Sequence, residues 1–144
     1  MQPASLRAFA DPANAAKNRY ANVAAPDHSR VPLINDSGAK GYINANFVDS
    51  LLPTRAGRRR YISTQGPLPN TLADFWQMCW QENVSVIAML TQGVENGRLK
   101  CETYWPESVA EFLEGAERLY GVINVRLVQC GGDEFIKQRR FVLT

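Results

Sequence analysis

The stretch "TLADFWQMCWQE", Thr71 to Glu82, constrains the fold most. Leu72, Phe75, Trp76 and Cys79 recur at i, i+3, i+4 and i+7, the spacing that gathers side chains on one helical face. Asn70 or Thr71 precedes the run as a capping residue, and Asp74 in the first turn suits the helix dipole. The spacing therefore predicts a helix over Thr71–Glu82, with Cys79 packed as a small hydrophobe. After it, "VSVIAML" (Val84 to Leu90) is apolar except for Ser85 and predicts a buried strand.

A helix followed by a strand, with strand-like runs on either side, makes the chain α/β or α+β with a mixed sheet. Upstream, Arg30 to Ile34 predicts a short strand that ends in the turn "NDSGAKG". "YINANFV" (Tyr42 to Val48) predicts a half-buried strand, with the register of Tyr42, Ala45 and Phe47 to be fixed. "TRAGRRR" (Thr54 to Arg60) reads as a solvated surface loop, "RYISTQG" as a strand, and "GPLPN" as turn chemistry. Downstream, "GVINVRLVQ" and "EFIKQRRFVLT" read as two strands of a hairpin turning at Gly131-Gly132. The first 16 residues, rich in alanine and broken by Pro3 and Pro12, form a helical or partly ordered lead-in. No internal repeat or low-complexity tract interrupts the chain.

The bulk numbers exclude several classes. At 144 residues, 45% hydrophobic and 21% charged, the chain fits one ordinary globular domain. A net charge of +2 is too small to indicate nucleic acid or a membrane surface. Three widely spaced cysteines argue against a disulfide framework and for reduced thiols in a cytoplasmic setting. No apolar run is long enough to span a membrane, and the first 20 residues lack the apolar core of a secretory signal.

Seven phrases, in this order, carry a resemblance. They are "KNRY" (Lys17 to Tyr20), "DHSRV" (Asp27 to Val31), "YINANF" (Tyr42 to Phe47) and "YISTQGPLPNT" (Tyr61 to Thr71), then "DFWQMCW" (Asp74 to Trp80), "VIAMLT" (Val86 to Thr91) and "ENGRLKCETYWP" (Glu95 to Pro106). Together they resemble the classical protein-tyrosine phosphatase domain. The hairpin from Gly121 to Leu143, with Arg139 or Arg140 on its second strand, is similar to the family more weakly. One departure is Gly41, where the family commonly has an acid.

The order corresponds to the N-terminal half of the domain, over residues 17–144, so the fold expected is a partial phosphatase-like mixed sheet flanked by helices. The resemblance implies that Tyr20 walls the pocket and stacks on the phosphotyrosine ring, a contact worth roughly 0.5–1.5 kcal/mol beyond area burial. Asn22 is implied to touch the substrate's peptide backbone. Glu95 matches the acid that holds the phosphate-loop arginine, and Lys100 the lysine near the mobile acid loop. Cys101 matches a cysteine that is not the nucleophile.

The family's nucleophile sits in His-Cys-x5-Arg, because a thiolate attacks a phosphoryl group only with amide N–H groups and a guanidinium around its oxygens. That spacing puts arginine six positions after cysteine. Here those positions hold Ser85, Glu107 and Ile136, counted from Cys79, Cys101 and Cys130. "WPE" at Trp105 to Glu107 belongs to "YWP" and precedes the hairpin, whereas the family's acid loop follows it. The expectation is a phosphotyrosine-protein phosphatase domain whose catalytic residues are absent from these 144 residues, with no cofactor or metal. Two other readings stand beside it: a non-catalytic module that binds phosphotyrosine or a partner, and a chain that associates through an exposed sheet edge. Without the resemblance, His28 is a turn residue and Glu95 and Lys100 are solvated charges beside a glycine turn.

Overall fold

The computed structural model of the protein describes residues 4–34, 40–51, 60–107 and 115–144. The chain divides into two compact units, Met1–Thr71 and Leu72–Thr144.

In the first unit the lead-in forms a short helix, α1 (Arg7–Ala10), and a 3-10 segment over Pro12–Lys17. Asp11 caps that segment through the Ala13 N–H at 2.9 Å. Asp27 ties the lead-in down: its carboxylate accepts from Ser5 Oγ at 2.6 Å and from the N–H groups of Arg7 and Ala8. The Ser5 hydroxyl, then the Ala8 N–H, hold the Asp27 carboxyl below its ordinary value.

Four strands follow, in two antiparallel pairs: β1 (Leu33–Ile34) with β2 (Lys40–Gly41), and β3 (Ala45–Asp49) with β4 (Arg60–Thr64). The strand expected from Arg30 is thus shorter, although Arg30 bridges to Asn46. The strand expected over Tyr42–Val48 starts only at Ala45. Tyr42, Ile43 and Asn44 are all buried, and three consecutive buried residues do not fit a pleated alternation. Ala45 and Phe47 share a face, and Val31, Leu33, Tyr42, Ile43 and Ala45 form this unit's core. Most of the expected turn over Asn35–Gly41 and all of the basic loop but Arg60 lie outside the described residues. Arg60 itself begins β4, lies over the Phe47 ring at 4.4 Å, and pairs with Asp49 at 3.2 Å.

The second unit is organised around α2 (Leu72–Gln81), whose Leu72, Phe75, Trp76 and Cys79 are all buried, with Met78 beside them. The predicted helix is therefore present, one residue shorter at each end. The Thr71 hydroxyl, a predicted cap, bonds instead to the Leu68 backbone of the preceding 3-10 turn. The helix ends in a Schellman motif: Asn83 is left-handed at φ 51°, Asn83 N–H donates to Trp80 C=O, and Val84 N–H donates to Cys79 C=O.

The predicted buried strand over Val84–Leu90 does not form. These residues belong to no described strand, and Val86 and Leu90 are 80% and 96% exposed. An apolar run becomes a buried strand only where neighbours accept its backbone groups on both sides, and no described residues do so here. A small hairpin follows, β5 (Val94–Glu95) with β6 (Arg98–Leu99), and then a three-stranded antiparallel sheet in the order β7 (Glu117–Tyr120), β8 (Ile123–Gly132), β9 (Lys137–Leu143). Ile123, Val125 and Leu127 of β8 are buried, and Phe75, Trp76, Tyr104, Tyr120 and Phe141 form an aromatic cluster in the same unit.

The predicted turn at Gly131-Gly132 is displaced. Both glycines close β8, and the turn is Asp133–Ile136, where Asp133 Oδ1 accepts from the N–H groups of Phe135 and Ile136. The aspartate side chain supplies the turn's hydrogen bonds, so the bend falls after the glycines. Helices with antiparallel sheets give the mixed α/β class expected, and every described strand pairing is antiparallel.

Candidate functional site

The "KNRY" segment has its ends held and its tip exposed. Gln65, just after β4, donates from Nε2 to Lys17 C=O at 2.9 Å, and its Oε1 accepts the Arg19 N–H at 3.0 Å. Arg19 turns inward: Nε donates to Gly66 C=O at 3.0 Å and Nη2 to Pro67 C=O at 2.7 Å. Asn44, 6% exposed, donates from Nδ2 to Val23 C=O and accepts the Ala25 N–H on Oδ1, both at 2.8 Å. Asn18 accepts the Tyr42 hydroxyl at 2.6 Å. Between these anchors Tyr20 stands 41% exposed, and Asn22 is exposed. An exposed aromatic on an anchored loop is a preformed stacking surface.

Glu95 and Lys100 are placed by the β5–β6 hairpin. Asn96 and Gly97, both with positive φ, make its two-residue turn, the Asn-Gly chemistry of a type I′ hairpin. The Glu95 carboxylate accepts from Thr91 Oγ1 at 2.7 Å and from Gln92 N–H at 3.3 Å. The Thr91 hydroxyl above all, then Gln92 N–H, holds Glu95 below the ordinary carboxylate range, with Lys100 adding a smaller pull. Lys100 N–H donates to Gly93 C=O at 2.8 Å. Met89, Leu90, Thr91, Gln92, Val94, Glu95 and Asn96 line an open cavity of about 600 Å³. Glu95 thus has an ionised carboxylate at the edge of a hollow, an arrangement that suits a guanidinium. Tyr20 and Asn22 share one loop and Glu95 and Lys100 one hairpin; the two pairs belong to different units.

Cys79 and Cys101 are 4% and 3% exposed, and burial pushes the Cys79 thiol up to about 12. A thiol with so high a pKa is protonated at neutral pH and is no nucleophile. Cys101 Sγ instead contacts the Glu102 carbonyl at 3.4 Å. Both thiols pack, as the sequence implied.

The protein-tyrosine phosphatase family profile matches residues 14–144. The chain belongs to the protein-tyrosine phosphatase family. Among curated relatives, a receptor-type tyrosine-protein phosphatase of Aedes aegypti, mosPTP-1, is 49% identical over 121 residues, which are 82% of this chain and 8% of the relative. Tyrosine-protein phosphatase 99A of Drosophila melanogaster is 47% identical over 82% of the chain and 8% of its own length. Tyrosine-protein phosphatase 1 of Dictyostelium discoideum is 41% identical over 81% of the chain and 22% of its own length. The chain therefore spans less than a quarter of each of these relatives.

Within this phosphatase fold, Arg19, Asn44 and Gln65 hold the loop; the sequence suggested that the asparagines of "NANF" bond turn backbones, as Asn44 does, but passed over Arg19 and Gln65. One signal was available for Asn44, an amide inside the apolar run "YINANF" that burial tolerates only when fully hydrogen-bonded. Gln65 and Arg19 gave no such signal, because their partners lie far away in the chain.

Proposed function

We propose that this chain is the recognition part of a phosphatase acting on phosphotyrosine in proteins, and that these 144 residues do not hydrolyse phosphate by themselves. The observation that carries the reading is Tyr20, exposed at the tip of a loop anchored on both sides. In this reading Tyr20 stacks on the phosphotyrosine ring and Asn22 meets the peptide backbone, where an amide serves as donor and acceptor. Glu95 holds the arginine of a phosphate-binding loop, and Lys100 stands near the acid that protonates the leaving phenolate. The nucleophile and that arginine are not among these residues, since no cysteine has arginine six positions on. The cytoplasm is the compartment that suits three free cysteines.

The absence of a Cys-x5-Arg spacing also favours a second reading, a non-catalytic module that binds phosphotyrosine. One set of measurements separates the readings. The chain is assayed for hydrolysis of an aryl phosphate, and titrated with phosphotyrosine, phosphoserine and unphosphorylated forms of one peptide while backbone amide shifts are followed. The recognition reading expects no thiol-dependent turnover, and weak shifts confined to residues around Tyr20 and Asn22 that the phosphotyrosine form moves most. Tight, phosphate-dependent binding selects the second reading. Thiol-dependent turnover, or no response around Tyr20, overturns the first.

A further inference from the structure

We propose that Gln65 is the positioning residue for the Tyr20 wall: its side-chain amide, coupled to Asn44, fixes the Lys17–Ala25 loop from both ends. The consequence for substrate choice rests on the phosphotyrosine reading above; the hold on the loop does not.

The bonds form one connected set. Gln65 Oε1 accepts from Arg19 N–H and, at 3.3 Å, from Asn44 Nδ2, while Gln65 Nε2 donates to Lys17 C=O. The same Asn44 Nδ2 donates to Val23 C=O, and Asn44 Oδ1 accepts from Ala25 N–H. Each amide has one acceptor oxygen and one donor nitrogen, and only this orientation of each satisfies its neighbours. Flipping Gln65 would set its NH₂ against the Arg19 N–H and its oxygen against the Lys17 carbonyl. The pair therefore works as a keyed bridge and not as a loose polar contact. Asn44 is also anchored below, since its own carbonyl accepts the Thr64 hydroxyl at 3.0 Å.

Tyr20, Ala21 and Asn22 lie between the anchors and are exposed, so a change at either end is transmitted to the tip. A phosphoserine side chain is shorter than phosphotyrosine by a phenyl ring. A wall held at fixed height admits only the longer group to a phosphate site at the bottom, whereas a wall free to fold inward loses that discrimination. Gln65 would then set specificity without touching the substrate.

The test is backbone amide hydrogen exchange on the 144-residue chain, read residue by residue. In Gln65→Ala the Arg19 and Ala25 amides should exchange about tenfold faster or more, while Val31 and Phe47, bonded to Ala45 and Ser29, keep their rates. Gln65→Glu keeps an acceptor oxygen and loses the donor. Arg19 should then stay protected relative to Gln65→Ala while the Lys17 end loosens, a split that a general loss of stability would not give. In the peptide titration, Gln65→Ala should lose the preference for phosphotyrosine over phosphoserine. Unchanged Arg19 and Ala25 exchange in Gln65→Ala, or equal loss of Arg19 protection in both variants, overturns the proposal. If Gln65→Ala fails to fold, Gln65→Glu decides alone against the unaltered chain: Arg19 should keep its protection while the Lys17 end loosens, and equal loosening at both overturns the proposal. If the unaltered chain answers to neither phosphopeptide, the phosphotyrosine reading falls, and exchange still decides what Gln65 holds.

Discussion

The indole Nε1–H of Trp76 donates to the backbone carbonyl of Tyr104 at 2.6 Å, inside the second unit. Trp76 is 1% exposed and touches Phe75, Tyr104, Tyr120 and Phe141. The bond joins α2 to the segment before the β7–β9 sheet, and a buried carbonyl that loses its donor cannot turn to water. Trp76→Phe keeps an aromatic ring but removes the donor. It should destabilise the chain by about 1–3 kcal/mol for the orphaned carbonyl, before any packing loss. Urea unfolding followed by far-UV circular dichroism measures this; an unchanged midpoint would mean the bond is dispensable.

The three thiols should separate by accessibility. Cys79 and Cys101 are buried, and Cys79 is further protected by a pKa of about 12, while Cys130 on β8 is partly exposed. With limiting iodoacetamide at neutral pH, mass spectrometry should find Cys130 alkylated first and the other two only after denaturant is added. Early labelling of Cys101 would contradict its packed position.

What the sequence disclosed follows from how local each signal is. The α2 stripe was legible because period 3.6 is written within a dozen residues and needs no distant partner. The family phrases carry Tyr20, Glu95 and Lys100, with Asn22 two residues beyond one of them, as expectations by the same local means. Val84–Leu90 misled because an apolar run reports a wish for neighbours and not their presence. Gly131-Gly132 misled because turn residues mark a bend only to within a few positions; here the Asp133 carboxylate chose the place. The loop clamp was illegible for a related reason: Gln65 meets Lys17 and Arg19 across more than forty residues, and glutamine satisfies such groups in any surface loop.

Glu95 offers a pH test with a definite sign. Its folded pKa is depressed, first by the Thr91 hydroxyl, so its contribution to stability is present above the unfolded pKa and lost as pH falls through the folded one. Thr91→Val removes that donor and nearly preserves shape. The Glu95 carboxyl pKa, followed by side-chain NMR, should rise toward the ordinary glutamate value, and Thr91→Ser should restore the depression. An unmoved pKa in Thr91→Val would show that Gln92 N–H and Lys100 hold the carboxylate without it.

The adjacent glycines at the end of β8 should respond differently to the same substitution. Gly132 has φ of +117°, and a Cβ built there would overlap the carbonyl oxygen of Ile136 across the turn. That oxygen cannot retreat, because it accepts the Asp133 N–H at 2.8 Å and so closes the turn. Gly131 pairs with Gln138 in the ladder, and its Cβ would meet nothing within 4 Å. Gly132→Ala therefore combines backbone strain with a steric overlap and should cost about 1–3 kcal/mol. Gly131→Ala should be near neutral or slightly stabilising, since it restricts the unfolded chain at a position where a side chain fits. Thermal unfolding of the two variants side by side makes the comparison, and equal midpoints would mean that the hairpin bends elsewhere.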